Sequence, residues 1–299
     1  MPSKILEDIK IASIDLADFP VTLGGAQSDQ PEALSAKIAQ LLTEGPGFAV
    51  AYNSRGALAR EGLEIRENTD TALGLLESVF RGAMATIDFD RFSVVPEPME
   101  LAHMDVDGYN LNGDFSHDGK IDSRAFMTSK CIHFDAATPF VANTYGLNEN
   151  IGGGHPLLCD VRGYCRDRGI DPAEVVEAIP NNYNVAIREA HYDALLDEYS
   201  AALDVDIDND MIVVMLLNEV AYGVAHGATT PYKRDPEQPA RRPLRHFEYQ
   251  FGEEDHYVAW YAHYGVPMVE AHDYAGENLN LDYHKPAAKP YDRLVSIGV

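Results

Sequence analysis

The run FMTSKCIHFD ends in Ile132-His133-Phe134-Asp135, an imidazole and a carboxylate two residues apart. On a strand, residues two apart project from one face, so His133 and Asp135 would converge on a single point. Two His and one carboxylate on one face of an octahedron leave three positions open. That arrangement suits Fe(II) that must also take a cosubstrate and O2. His-x-Asp occurs twice more. His191-Tyr192-Asp193 lies in a helical pattern, where residues two apart face different ways. His103-Met104-Asp105 lies in an irregular acidic stretch and stays open on geometry. The 133/135 pair is preferred because NTYGLN (143–148) and NIGGGHPL (150–157) come after it, making a tight turn between strands.

A third ligand is expected from a later strand, with His155, His226, His246, His256 and His263 as candidates. His226 stands out because it ends the apolar stretch MIVVMLLNEVAYGVAH and precedes Gly227 and a Thr/Pro turn. A lone histidine there is ordinarily a core residue bonded to backbone; the strand-borne His-x-Asp upstream reverses that expectation. A basic run comes next in an otherwise acidic chain: Lys233, Arg234, Arg241, Arg242 and Arg245. An arginine on the wall of a metal pocket can clamp a carboxylate through two parallel hydrogen bonds. In LRHFEYQF, Arg245 shares a face with Phe247, Tyr249 and Phe251, which points it inward. Arg234, Arg241 and Arg242 read as a solvated loop. Asn143 and Tyr145, just past the His-x-Asp strand, are candidates for contact with cosubstrate or substrate. Trp260 in AWYAHYG reads as core before it reads as a substrate mouth. Cys131, Cys159 and Cys165 are too sparse for a disulfide framework and read as small buried hydrophobes.

Periodicity marks the elements that must position these groups. Residues 31–44 and 69–85 carry apolar residues at helical spacing, and 47–53 reads as a strand. Residues 87–122, rich in Asp, Gly, Asn and Pro, read as a long irregular loop. Two strands around a turn are expected in 125–147, helices over 172–179 and 186–203, and strand-turn-strand over 210–227. Residues 244–251 alternate like a half-buried strand. Helices first, with strands building the core, predict a mainly β fold with flanking helices.

Composition narrows the function. The 299 residues carry 48 Asp+Glu against 23 Lys+Arg, a formal charge of −25. Affinity for nucleic acid comes from cations on phosphates, so that partner is excluded. No basic amphipathic helix and no membrane-length apolar run is present, so no membrane partner is expected. Few cysteines and no leader-like N-terminal pattern point to the cytoplasm.

In order along the chain, LLTEGPGFAVAYN, IHFD, NENIGGGHPLLCD, GVAHGATTP and PLRHFEYQF resemble the Fe(II)/2-oxoglutarate-dependent oxygenases over most of 35–251. The resemblance implies a double-stranded β-helix (jelly-roll, cupin-like) core, about residues 125–265. Residues 1–299 would then form a single domain, with a helix and strand region at 1–86 and the acidic loop at 87–122. It implies His133, Asp135 and His226 as iron ligands, with Fe(II), 2-oxoglutarate and O2 as cofactors. It implies Arg245 as partner of the distal carboxylate of 2-oxoglutarate, with Arg241 or Arg242 as alternatives. Asp135 stands where the family's halogenases carry a small residue, so the resemblance is to a hydroxylase-type member. Such an enzyme would oxidise a C–H bond of a small polar metabolite while decarboxylating 2-oxoglutarate to succinate.

Two rival readings stand beside it. One is a non-catalytic jelly roll that binds a small molecule. The other is a calcium-binding interaction protein using Asp114–Asp122, which matches the first nine positions of an EF-hand loop but has Ala125 where a bidentate Glu belongs. Substrate-contacting residues and oligomeric state are not legible.

Overall fold

A computed structural model describes residues 4–23, 30–88, 99–105, 116–117, 120–121, 132–135, 139–178, 185–218, 223–229, 232–235, 237–238, 242–249 and 294–297. The helices are α1 (Lys4–Ala12), α2 (Glu32–Thr43), α3 (Ser54–Arg60), α4 (Thr69–Met84), α5 (Val161–Arg168), α6 (Pro172–Val175) and α7 (Glu189–Tyr199). The first strands are β1 (Ser13–Asp15), β2 (Phe48–Tyr52), β3 (Met99–Asp105), β4 (Ser116–His117), β5 (Lys120–Ile121), β6 (His133–Phe134), β7 (Phe140–Gly146), β8 (Ile151–Gly152) and β9 (Pro156–Cys159). After them come β10 (Val176–Ala178), β11 (Val185–Ile187), β12 (Ser200–Asp204), β13 (Met211–Leu217), β14 (Ala225–Ala228), β15 (Tyr232–Lys233), β16 (Pro243–Tyr249) and β17 (Leu294–Ser296).

The strands form a six-stranded sheet, β1-β2-β13-β7-β16-β3, and a seven-stranded sheet, β10-β11-β6-β14-β9-β12-β17, besides the small pairs β15-β8 and β4-β5. Each large sheet is mixed, because the edge pairs β1-β2 and β12-β17 are parallel and the inner pairs antiparallel. From β3 onward the chain moves back and forth between them: β6 in the second, β7 in the first, β9 and β12 in the second, then β13, β14 and β16 in alternation. No ladder closes one sheet onto the other among the described residues.

Helical spacing buries Leu34, Ile38, Leu41 and Leu42 on α2, and Leu73, Leu76, Val79, Phe80 and Ala83 on α4. These stripes share one core with β2, β7 and β13. β13, MIVVMLL, is buried along its whole length, as a strand covered on both faces requires. On the second sheet, Ile132, Phe134, Leu157, Cys159 and Ala225 pack with Val161, Tyr164, Val175 and Leu195 of the helical segments outside it. That packing sets the orientation of the chemistry. Alternation sends His133 and Asp135 to the face opposite Ile132 and Phe134, and His226 to the face opposite Ala225.

Three expectations need correction. The helix expected over 172–179 stops at Val175, and Val176–Ala178 pairs with β11, which takes 186–187 out of the second expected helix. That second helix covers only 189–199, and Ser200–Asp204 is a strand between β9 and β17. Good helix formers such as Ala201, Ala202 and Leu203 yield there to two ladders and complete burial, a tertiary override of local propensity. Within the segment expected to be irregular, Met99–Asp105 is a strand paired along β16. Asp114, Asp118 and Asp122 of the calcium-like loop lie outside the described residues, as do Cys131, Trp260, His256 and His263.

Candidate metal centre

β6 and β14 are neighbours, and His133 lies directly opposite His226 in their antiparallel register. Opposed residues carry their Cβ atoms about 5 Å apart on one face, so two imidazoles meet by backbone geometry alone. Their ring centroids are 4.5 Å apart and tilted by 48°. Asp135 joins them from the end of β6, with Oδ1 3.4 Å from His133 Nε2 and Oδ2 3.3 Å from His226 Nε2. One ligand atom from each of the three lies within 4.8 Å of the others. All three residues are buried, at 5%, 7% and 6% exposure. Among the described residues no other group of three His, Cys, Asp or Glu converges in this way.

The donor set fits a divalent transition metal. Neighbouring ligands each about 2.1 Å from a shared octahedral cation sit roughly 3 Å apart, close to the two His–Asp separations. Two imidazoles and one carboxylate carry a single negative charge, which a dication converts to a net positive centre that attracts an anionic ligand.

Asn218, at the end of β13, holds the turn that carries Asp135. The Asp135 N–H donates to Asn218 Oδ1 at 3.0 Å, and Asn218 Nδ2 donates back to the Asp135 carbonyl. Asn218 is 1% exposed, and its own N–H donates to the Pro139 carbonyl at 2.8 Å. One carboxamide thus ties the metal-side loop to the opposite sheet. Asn218→Ala is expected to weaken Mn(II) binding about 10- to 100-fold, read by calorimetry. An unchanged affinity would show that Asp135 is held by other means.

Asn143 and Tyr145 alternate along β7 and are both buried. Asn143 Nδ2 lies 3.4 Å from His226 Nε2, so the two sheets meet face to face at this point. Burial pushes the Tyr145 phenol well above its usual range; Arg242 pulls it back in part and Asp135 adds to the rise. Tyr145 therefore feels both the acid of the triad and the guanidinium of Arg242.

Arg242 is not the solvated loop cation its neighbours suggest. It is 5% exposed, Nε donates to Asn148 Oδ1 at 2.7 Å, and Nη2 donates to the Gly154 carbonyl at 3.2 Å. Burial lowers its pKa to about 10, so it stays charged at neutral pH. No carboxylate forms an ion pair with it among the described residues; Asp208 is engaged by Arg234 at 2.6 Å. Arg234 is exposed, as expected. Arg245 lies in β16 opposite His103, while its side chain, and all of Arg241, are outside the described residues.

Two other described histidines, His155 and His191, have partners of their own. His155 Nδ1 sits 3.1 Å from the Leu203 carbonyl, and burial lowers its pKa. His191 Nδ1 is 2.8 Å from the Tyr164 hydroxyl on α5. The backbone of His246 lies opposite Asn143 in the β16–β7 register, and its side chain is outside the described residues. Cys159 and Cys165 are buried free thiols pushed up to about 12 and about 11 by desolvation, hydrophobes rather than ligands.

No protein-family model and no curated protein matches the chain. Among solved structures it is similar to the iron and alpha-ketoglutarate-dependent endoperoxidase NvfI, at 12% identity and a TM-score of 0.33, over 69% of this chain and 79% of that one. So distant a likeness leaves function to the chemistry of the site itself. No helix among the described residues is long and apolar enough to cross a membrane.

Proposed function

We propose that the chain is a non-haem Fe(II)/2-oxoglutarate-dependent oxygenase that hydroxylates an unactivated C–H bond of a small polar metabolite. The observation that carries this reading is the buried convergence of His133, Asp135 and His226 between two sheets. The strand order supports a jelly-roll core, because β6, β7, β9 and then β12, β13, β14 and β16 pass between two largely antiparallel sheets, as in that fold. The cytoplasm suits the buried free thiols.

In this reading His133, Asp135 and His226 would hold Fe(II), a donor set that leaves positions for other ligands. When bound, Fe(II) with 2-oxoglutarate and O2 supplies the oxidation of the substrate C–H bond, coupled to decarboxylation of 2-oxoglutarate to succinate and CO2. The protein's task is orientation and exclusion of water. Arg242 receives the distal carboxylate of 2-oxoglutarate, in preference to Arg245 or Arg241. It precedes β16, it is buried and charged, and no acid among the described residues pairs with it. Asn143, beside His226 Nε2, is placed to donate to a ligand oxygen near the metal. Tyr145 is within electrostatic reach of both Asp135 and Arg242.

Anaerobic Fe(II) plus 2-oxoglutarate is expected to give a weak visible charge-transfer band that is lost in His133→Ala. Under O2, a panel of small polar metabolites should reveal one that stimulates succinate release. Iron binding with neither band nor succinate would leave a jelly roll that binds ligands without turnover.

A further inference from the structure

We propose that Asn148 is a positioning residue: an uncharged acceptor that fixes the Arg242 guanidinium while leaving its positive charge for the carboxylate of 2-oxoglutarate. The inference rests on the oxygenase reading for the identity of that carboxylate, but its structural basis is separate.

An arginine side chain has five N–H donors and one charge. Arg242 spends Nε on the Asn148 carboxamide and one Nη2 hydrogen on the Gly154 carbonyl. Both acceptors are neutral. The three remaining N–H groups, including both on Nη1, make no hydrogen bond among the described residues. Asp208 lends Arg242 distant electrostatic support without an ion pair; a buried cation whose direct acceptors are all neutral is left to be completed by an anion that reaches its free N–H edge.

Asn148 is itself costly where it stands. It is 4% exposed, and its Nδ2 has no hydrogen-bond partner among the described residues. An aspartate would accept from Arg242 equally well, would carry no orphaned N–H and would neutralise the guanidinium. The carboxamide accepts from Arg242 but keeps an orphaned N–H and adds no negative charge, so the feature it preserves is the open charge.

The backbone also works to place it. Leu147 has φ +49 and Asn150 φ +55, left-handed conformations unfavourable for side chains, and Gly146 stands at +136. The Asn148 N–H donates to the Ile207 carbonyl at 2.9 Å, which pins the turn. Gly154, at φ +68, gives the guanidinium room, since a Cβ there would collide with Arg242 Nη2.

The test compares Asn148→Asp and Asn148→Ala in the full chain. Melting temperature is read on the metal-free protein, and 2-oxoglutarate affinity by calorimetry with Mn(II) bound. Asn148→Asp is expected to raise the melting temperature by about 2–4 °C and to weaken 2-oxoglutarate on the order of 100-fold, with Mn(II) affinity unchanged. Asn148→Ala is expected to lower the melting temperature and weaken 2-oxoglutarate about 10-fold. A purely structural role lowers the melting temperature in both variants; that result, or full 2-oxoglutarate affinity in Asn148→Asp, overturns the proposal. If the unaltered protein takes up no 2-oxoglutarate, the oxygenase reading falls, and the melting shift of Asn148→Asp alone decides whether Asn148 keeps the charge open.

Discussion

Asp135→Ala is expected to weaken Mn(II) or Fe(II) binding on the order of 1,000-fold and to abolish any 2-oxoglutarate turnover. The carboxylate is the triad's only anionic donor, and it bridges both imidazoles at 3.4 and 3.3 Å. Without it two neutral histidines are left to hold the dication, with no charge to offset its desolvation. The fold should survive the change, because Asn218 holds residue 135 through its main-chain N–H and carbonyl, neither of which the substitution removes. Metal titration by calorimetry, with near-ultraviolet dichroism as the folding control, decides it. A folded Asp135→Ala protein that binds metal as tightly as the unaltered chain would place the metal elsewhere and end the oxygenase reading.

Arg242→Met is expected to weaken 2-oxoglutarate on the order of 100-fold while leaving Mn(II) affinity intact. Methionine keeps much of the side chain's bulk and removes the charge. Arg242→Lys should rescue little: a single ammonium cannot reach both the Asn148 and Gly154 acceptors and still present a two-pronged edge to a carboxylate. Arg245→Ala is the comparison that matters, since alternation along LRHFEYQF points to Arg245. If Arg245→Ala costs more 2-oxoglutarate affinity than Arg242→Met, the clamp lies on the strand and not before it.

The contrast between these two arginines shows how far local pattern reaches. Period-two alternation applies inside a strand, and it located His133 and Asp135 on one face because Ile132 and Phe134 had an apolar layer to fill on the other. It says nothing of a residue one position before a strand begins. Arg242 sits among Arg241, Pro239 and Pro243 in a stretch with every mark of a solvated loop. It is held by Asn148 and Gly154, each more than eighty residues upstream. Asn218 was hidden for the same reason: an asparagine after MIVVMLL reads as a strand end, and its hydrogen bonds go to a turn in the other sheet.

From its residues alone this chain declared a mainly β architecture, the helices at 31–44 and 69–85, and the His133/Asp135 pair with His226 foremost among five candidates for the third ligand. Those features depend on short-range periodicity and on the donor chemistry of His and Asp, both written locally. The register that opposes His133 to His226, the strands at 176–178 and 200–204, and the buried charge of Arg242 depend on partners distant in sequence. Burial and ladder pairing are set by whatever else the chain brings alongside, and no local window contains that information.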